Sequence, residues 1–157
     1  MKKEINIPFE HFTSWRELSD SDQLLVGKAY EIASNAYAPY SEFHVGSVVK
    51  LKSGQLILGS NQENIAFPSG LCAERVALFY AGANYPKEII DTICVVAKGE
   101  LLPVDKLLTP CGACRQVMLE TEIRQNQTYR ILLVSQNEQT VIFHSAKDLL
   151  PFAFGTV

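Results

Sequence analysis

The chain has 157 residues, 47% of them apolar and 20% charged, with 14 basic against 17 acidic residues for a net charge of −3. That composition predicts one folded, soluble domain, long enough to bury about two thirds of its unfolded surface without staples, and excludes a disordered chain. An acidic balance with no basic stripe argues against a general nucleic-acid binder, which needs cations to displace the counterions of phosphates.

Residues 1–18 read as an N-terminal arm, without periodicity over the first 14. A helix fits Asp20 to Ala36: Ser19, Asp20 and Ser21 offer N-caps, Leu24, Leu25, Ala29, Ile32 and Ala33 recur at helical spacing, and Pro39 ends it. Phe43 to Leu51 reads as a strand, Ser53-Gly54 as a turn and Gln55 to Gly59 as the hairpin partner. The stretch from Ser60 to Gly70 is a loop broken by Pro68, and Leu71 to Ala83 is a second helix. Ile89 to Ala97 is nearly continuously apolar, the pattern of a strand buried on both faces. A third helix runs from Cys111 to about Glu122, followed by strands at Tyr129 to Ser135 and Thr140 to His144, a helical turn at Ser145 to Leu150 and an aromatic tail, Pro151 to Val157. The order predicts a single α/β/α sandwich around a mixed five-stranded sheet, with a hairpin at one edge.

No apolar stretch approaches the roughly 20 residues that span a bilayer. The two lysines near Met1 have no apolar run behind them, so no secretory leader is expected. Cysteines stand at 72, 94, 111 and 114, not spread as in a disulfide framework, and a reducing, cytoplasmic setting is expected.

Three of those cysteines carry the chemistry. Cys72-Ala73-Glu74 and Pro110-Cys111-Gly112-Ala113-Cys114 each lie where a loop becomes a helix. Spacing i, i+3 puts Cys111 and Cys114 on one side of a first turn. A helix N-terminus stabilises thiolates and prepares them for a soft metal. Three such ligands suit one Zn²⁺ with a fourth position left open. Glu74, two residues after Cys72, points about 200° around the helix from it and need not ligate. It is placed to move protons to and from water at the metal. That is the part list of a zinc deaminase in its three-cysteine form. The competing readings are a structural zinc module without turnover and a redox dithiol. A closed structural site would require a fourth ligand from Cys94, His11, His44 or His144, none at a ligand spacing, and neither reading has a use for Glu74. Arg75, in the same first turn, is expected to donate to thiolate sulfur, since three thiolates around one zinc leave a net charge of −1 that weakens the metal as an acid.

Around this core the chain resembles the homotetrameric cytidine deaminases. The likeness is carried by Ala36-Tyr37-Ala38-Pro39-Tyr40-Ser41-Glu42-Phe43-His44-Val45-Gly46, Asn61-Gln62-Glu63-Asn64, Cys72-Ala73-Glu74-Arg75 and Pro110-Cys111-Gly112-Ala113-Cys114-Arg115-Gln116, in order, from about residue 22 to Phe154. The resemblance implies that Cys72, Cys111 and Cys114 hold zinc and that Glu74 shuttles the proton. It implies Asn61 and Glu63 on the ribose hydroxyls, Phe43 on the pyrimidine face and the Ala73 N–H on the base carbonyl. Phe154 would reach a neighbouring subunit's site. The implied activity is hydrolytic deamination of cytidine and 2′-deoxycytidine in pyrimidine salvage; a deaminase of another aminopyrimidine nucleoside, such as a blasticidin-type antibiotic, is the alternative. Phe67 stands where the family often has tyrosine, and Pro68 and Gly70 make the next loop unusual.

Overall fold

The structure, a computed structural model, describes residues 1–155; Thr156 and Val157 of the expected tail lie outside the described residues. Among these, six strands and three α-helices form a three-layer α/β/α sandwich. In chain order they are β1 (Glu10–Phe12), α1 (Asp20–Ala33), β2 (His44–Leu51), β3 (Leu56–Ser60), α2 (Ala73–Asn84), β4 (Ile90–Lys98), α3 (Gly112–Gln125), β5 (Arg130–Val134) and β6 (Thr140–Phe143). The sheet order is β1-β6-β5-β4-β2-β3, antiparallel except for β4 and β5, which α3 joins as a parallel crossover.

The unbroken apolar run of β4 follows from its central place. Cys94 and Val96 face α1, packing with Val26, Ala29, Leu132 and Val134, while Ile93, Val95 and Ala97 face α2 and α3, packing with Ala77, Met118 and Leu133. Helix α1 ends at Ala33, the last of its periodic apolar residues, three residues before the expected Ala36. The Asn35 and Ala36 N–H groups reach back to the carbonyls of Ile32 and Ala33, tightening the chain ahead of Pro39. Among the described residues, no helix is long and apolar enough to cross a membrane.

The expected five-stranded sheet has a sixth strand, and the N-terminal arm supplies it. Three residues are too few to show a period, and β1 exists only because Glu10–Phe12 pairs antiparallel with the β6 edge. Other points of the arm are tied down as well. Ile7 packs on the core, Phe9 lies 5.7 Å from Phe143 centre to centre, and Arg16 pairs with Glu138 at 3.1 Å.

Helix α1 is moored to the sheet by a two-pronged ion pair. Arg130 Nη1 and Nη2 donate to the two carboxylate oxygens of Asp22 at 2.9 and 2.8 Å. Burial pushes the Asp22 carboxyl up, but the Arg130 fork and its charge outweigh it and hold the group below its ordinary 3.8. Asp22→Asn is expected to cost about 1–2 kcal/mol, after allowing for solvent screening on the open side of Arg130. Because the folded-state value is depressed, the contribution is present above pH 3.8 and disappears as pH falls through the lower native value. Urea melts at pH 7 and near pH 3 check this: the wild-type advantage should shrink at the lower pH.

Candidate active site

Two helix N-termini converge at one end of the sheet. Cys72 is the N-cap of α2 and Cys111 the N-cap of α3, both in extended backbone, with neither side chain spent on capping its own helix. Cys114 is buried in the first turn of α3, one turn on from Cys111. The first turn of α2 lies hard against β3: a Cβ on Gly59 would come within 2.6 Å of the Ala73 carbonyl oxygen. Arg115 fixes the approach to α3, its Nε donating to the Pro110 carbonyl at 2.8 Å and its Nη1 to that of Leu149 at 2.9 Å.

The three sulfurs lie together, Cys72 Sγ 3.8 Å from Cys111 Sγ and Cys111 Sγ 3.5 Å from Cys114 Sγ. These are not disulfide distances, and all four cysteines are free. A tetrahedral zinc with bonds of about 2.3 Å sets its ligand sulfurs about 3.8 Å apart, so the donor set fits zinc in both type and spacing. Cys94 lies in the core beneath α1, and His144 pairs with Glu10 at 2.7 Å. Neither joins the cluster, which consists of Cys72, Cys111 and Cys114.

The groups around the sulfurs set their charge. A hydrogen bond from the Cys114 thiol, reinforced by Arg75 and Cys111 against the cost of burial, brings the Cys72 thiol down to about 5. The same bond and burial push the Cys114 thiol up. Arg75 Nη2 donates to Cys72 Sγ at 3.8 Å, and among the described residues its buried Nε–H has no partner. Glu74 is 4% exposed, and burial pushes its carboxyl up to about 7, its own backbone N–H pulling down and the Cys72 charge pushing up.

Glu74, Cys72 and Cys111 line an open pocket of about 690 Å³, within the range of small-molecule sites. Phe43, Asn61 and Glu63 line it too. Three segments meet here through isolated bridges, Tyr37 with Gln62 and Gln62 with Leu71, which lay the stretches around residues 37, 62 and 71 side by side. Asn61 is buried; its Oδ1 accepts from the Val45 N–H at 2.8 Å and its Nδ2 donates to the Phe43 carbonyl at 2.8 Å. One N–H and one lone pair of that amide remain. The Glu63 carboxylate accepts from the Tyr40 and Ser41 N–H groups at 2.9 and 3.3 Å and from the Ser41 hydroxyl, whose bond holds the carboxyl below its usual range. Both side chains thus brace the loop as well as facing the pocket. Phe43 is buried just ahead of β2, and Ala73 opens α2 with one of the N–H groups a helix start leaves free. Phe154 is 90% exposed and is not among the lining residues, its carbonyl held by Gln116 Nε2 at 2.8 Å.

Comparison with known proteins gives the family. The family model described as the cytidine and deoxycytidylate deaminase zinc-binding region matches residues 19–129. The chain belongs to that family. It is 36% identical over 132 residues to a cytidine deaminase of Halalkalibacterium halodurans, covering 84% of this chain and 92% of that one. It is 37% identical over 130 residues to a cytidine deaminase of Sporosarcina psychrophila, covering 83% and 88%. A crystal structure of cytidine deaminase from Burkholderia pseudomallei superposes with a TM-score of 0.72 at 36% identity, over 84% of this chain and 98% of that one. The arm that supplies β1 precedes the residues matched by the family model.

Sequence reasoning assigned no role to Arg115, although the family motif contains it; its contact with the Leu149 carbonyl joins residues 34 positions apart, which no local spacing brings together. It also missed the wall of the pocket formed by Leu101, Leu102 and Leu108, which the sequence presents as an unstructured connection.

Proposed function

We infer that this chain catalyses the zinc-dependent hydrolytic deamination of cytidine to uridine and ammonia. The observation that carries the reading is a buried carboxylate, Glu74, beside three converging cysteine sulfurs in a nucleoside-sized pocket. Cys72, Cys111 and Cys114 hold the zinc, which supplies a Lewis acid able to ionise water at neutral pH. Glu74 accepts a proton from the attacking water as its oxygen bonds to C4, and passes that proton to ring N3. It then carries the second proton to the amino group, the C4–N bond breaks and ammonia leaves. Phe43 packs on the pyrimidine face, the Ala73 N–H donates to the base carbonyl, and Asn61 and Glu63 take the ribose hydroxyls with the capacity their bracing bonds leave free. Arg75 draws charge from Cys72; Arg75→Gln is expected to lower kcat about tenfold with zinc retained, measured as turnover per bound zinc.

The family includes deaminases of both nucleosides and nucleotides, and the pocket favours the former. Among the described lining residues, the charged groups are Glu63, Glu74 and an Arg75 already engaged with Cys72. A 5′-phosphate would meet carboxylates with no free cation to hold it. Cytidine and 2′-deoxycytidine should therefore exceed their 5′-monophosphates in kcat/KM by about 100-fold or more. Equal use of the monophosphates would contradict the nucleoside reading.

Pyrimidine salvage in the cytoplasm fits this activity and the four free thiols. The active form we propose is a homotetramer. Phe152 and Phe154 in the tail and Phe67 beside the pocket are all more than 70% exposed, a large apolar display for an isolated chain. Removing residues 151–157 should dissociate the assembly and raise KM, read by sedimentation and steady-state assay on one sample. Full activity in a monomer would rule out a shared site.

A further inference from the structure

One wall of the pocket is built by the segment between β4 and α3. It has no regular secondary structure, yet Leu101, Leu102, Leu108 and Thr109 all line the cavity. Leu101 is 60% exposed, so packing does not hold it there. Leu102 packs on the core and Leu108 is buried in it, and the backbone of the segment is tied as well from outside the pocket, by the turn that follows β5.

Half-buried Gln136 clips the beginning of the segment. Its Oε1 accepts from the Gly99 N–H at 2.9 Å and its Nε2 donates to the Leu102 carbonyl at 3.1 Å. One side-chain amide thus serves a backbone donor and a backbone acceptor three residues apart, as a partner strand would. The chain turns at Gly99 with φ +139°, where a Cβ would come within 2.5 Å of the Glu42 carbonyl oxygen, so the start of the wall also rests against the residue preceding Phe43. The far end has separate anchors: the Leu108 N–H donates to buried Ser135 Oγ at 3.0 Å, and Arg115 holds Pro110.

We propose that Gln136 is a positioning residue for substrate binding: by clipping residues 99–102 it sets Leu101 and Leu102 as the wall against which the nucleoside seats. This rests on the reading of the pocket as a nucleoside site. Gln136 does not line the pocket itself. Its hydrogen bonds involve neither Glu74 nor any of the three cysteines, and the anchors at Leu108 and Pro110 isolate Cys111 from changes at Gly99. Loss of the clip therefore loosens binding and leaves proton transfer intact.

Gln136→Met keeps the length of the side chain and removes both donor and acceptor. The expected result is a KM for cytidine raised about tenfold, with kcat within about twofold of wild type and zinc content unchanged. Hydrogen exchange supplies a readout independent of turnover: the Gly99 amide should lose protection, and the Leu108 amide should keep it. An unchanged KM with Gly99 deprotected would overturn the proposal, since the clip would then be scaffolding without effect on binding. A fall in kcat accompanied by zinc loss would also overturn it, placing the effect on the metal helix. Wild-type protein that fails to deaminate cytidine would instead overturn the reading of the pocket, and this inference with it; the wild-type control tells the two failures apart.

Discussion

Replacing Glu74 with glutamine is expected to reduce kcat on cytidine by about 10³–10⁴-fold, the upper range for loss of a general acid–base, because one group serves both proton transfers. The amide has nearly the same shape and fills the same buried space at the start of α2. It cannot accept a proton from water or deliver one to ring N3 or to the leaving amine. Since Glu74 is outside the cluster formed by the three thiols, zinc content and melting temperature should hold. Those two controls separate a lost proton shuttle from a damaged site. Turnover within tenfold of wild type in zinc-loaded Glu74→Gln would assign the proton transfers to another group.

Cys72→Ala should be the most damaging substitution for the metal. It removes one of three ligands and also leaves the Arg75 guanidinium, whose Nε–H already lacks a partner among the described residues, without the sulfur that its Nη2 contacts. Zinc affinity should fall by about 10³-fold or more, as each thiolate carries a large share of binding at such sites. A metal that binds only the folded chain raises its stability by mass action. Wild-type protein should therefore melt at a lower temperature after chelation, whereas Cys72→Ala should melt at the same temperature with or without chelator. A thermal melt of each protein with and without EDTA reads the difference, and a chelator-sensitive Cys72→Ala would mean that the metal is held elsewhere.

Much of this site is legible in the amino-acid sequence because its parts are local. Cys72 and Cys111 lie at helix starts marked by Pro110 and by the onset of apolar periodicity, and the i, i+3 relation of Cys111 to Cys114 is a property of one turn. The buried strands at Ile90–Lys98 and Arg130–Val134 declare themselves by apolar runs that only a two-sided sheet explains. What escapes is tertiary. The strand Glu10–Phe12 is created by the open edge of β6, not by anything in its three residues. The bracing bonds of Asn61 and Glu63 run to backbone 16 to 23 residues earlier in the chain. The anchoring of segment 99–102 by Gln136 joins residues 34 and 37 positions apart; a glutamine in a polar turn gives no hint of it.

The central claim is that a three-thiolate zinc and Glu74 together deaminate cytidine, and titrating activity against bound metal tests it most directly. Zinc would be stripped, returned in measured sub-stoichiometric steps and counted on the same samples from which ammonia release is recorded. The account predicts ammonia and uridine in equal amounts, at a rate rising linearly with occupancy up to about one zinc per chain. Turnover that persists in fully stripped protein, or zinc-loaded protein that releases no ammonia from cytidine, would contradict it.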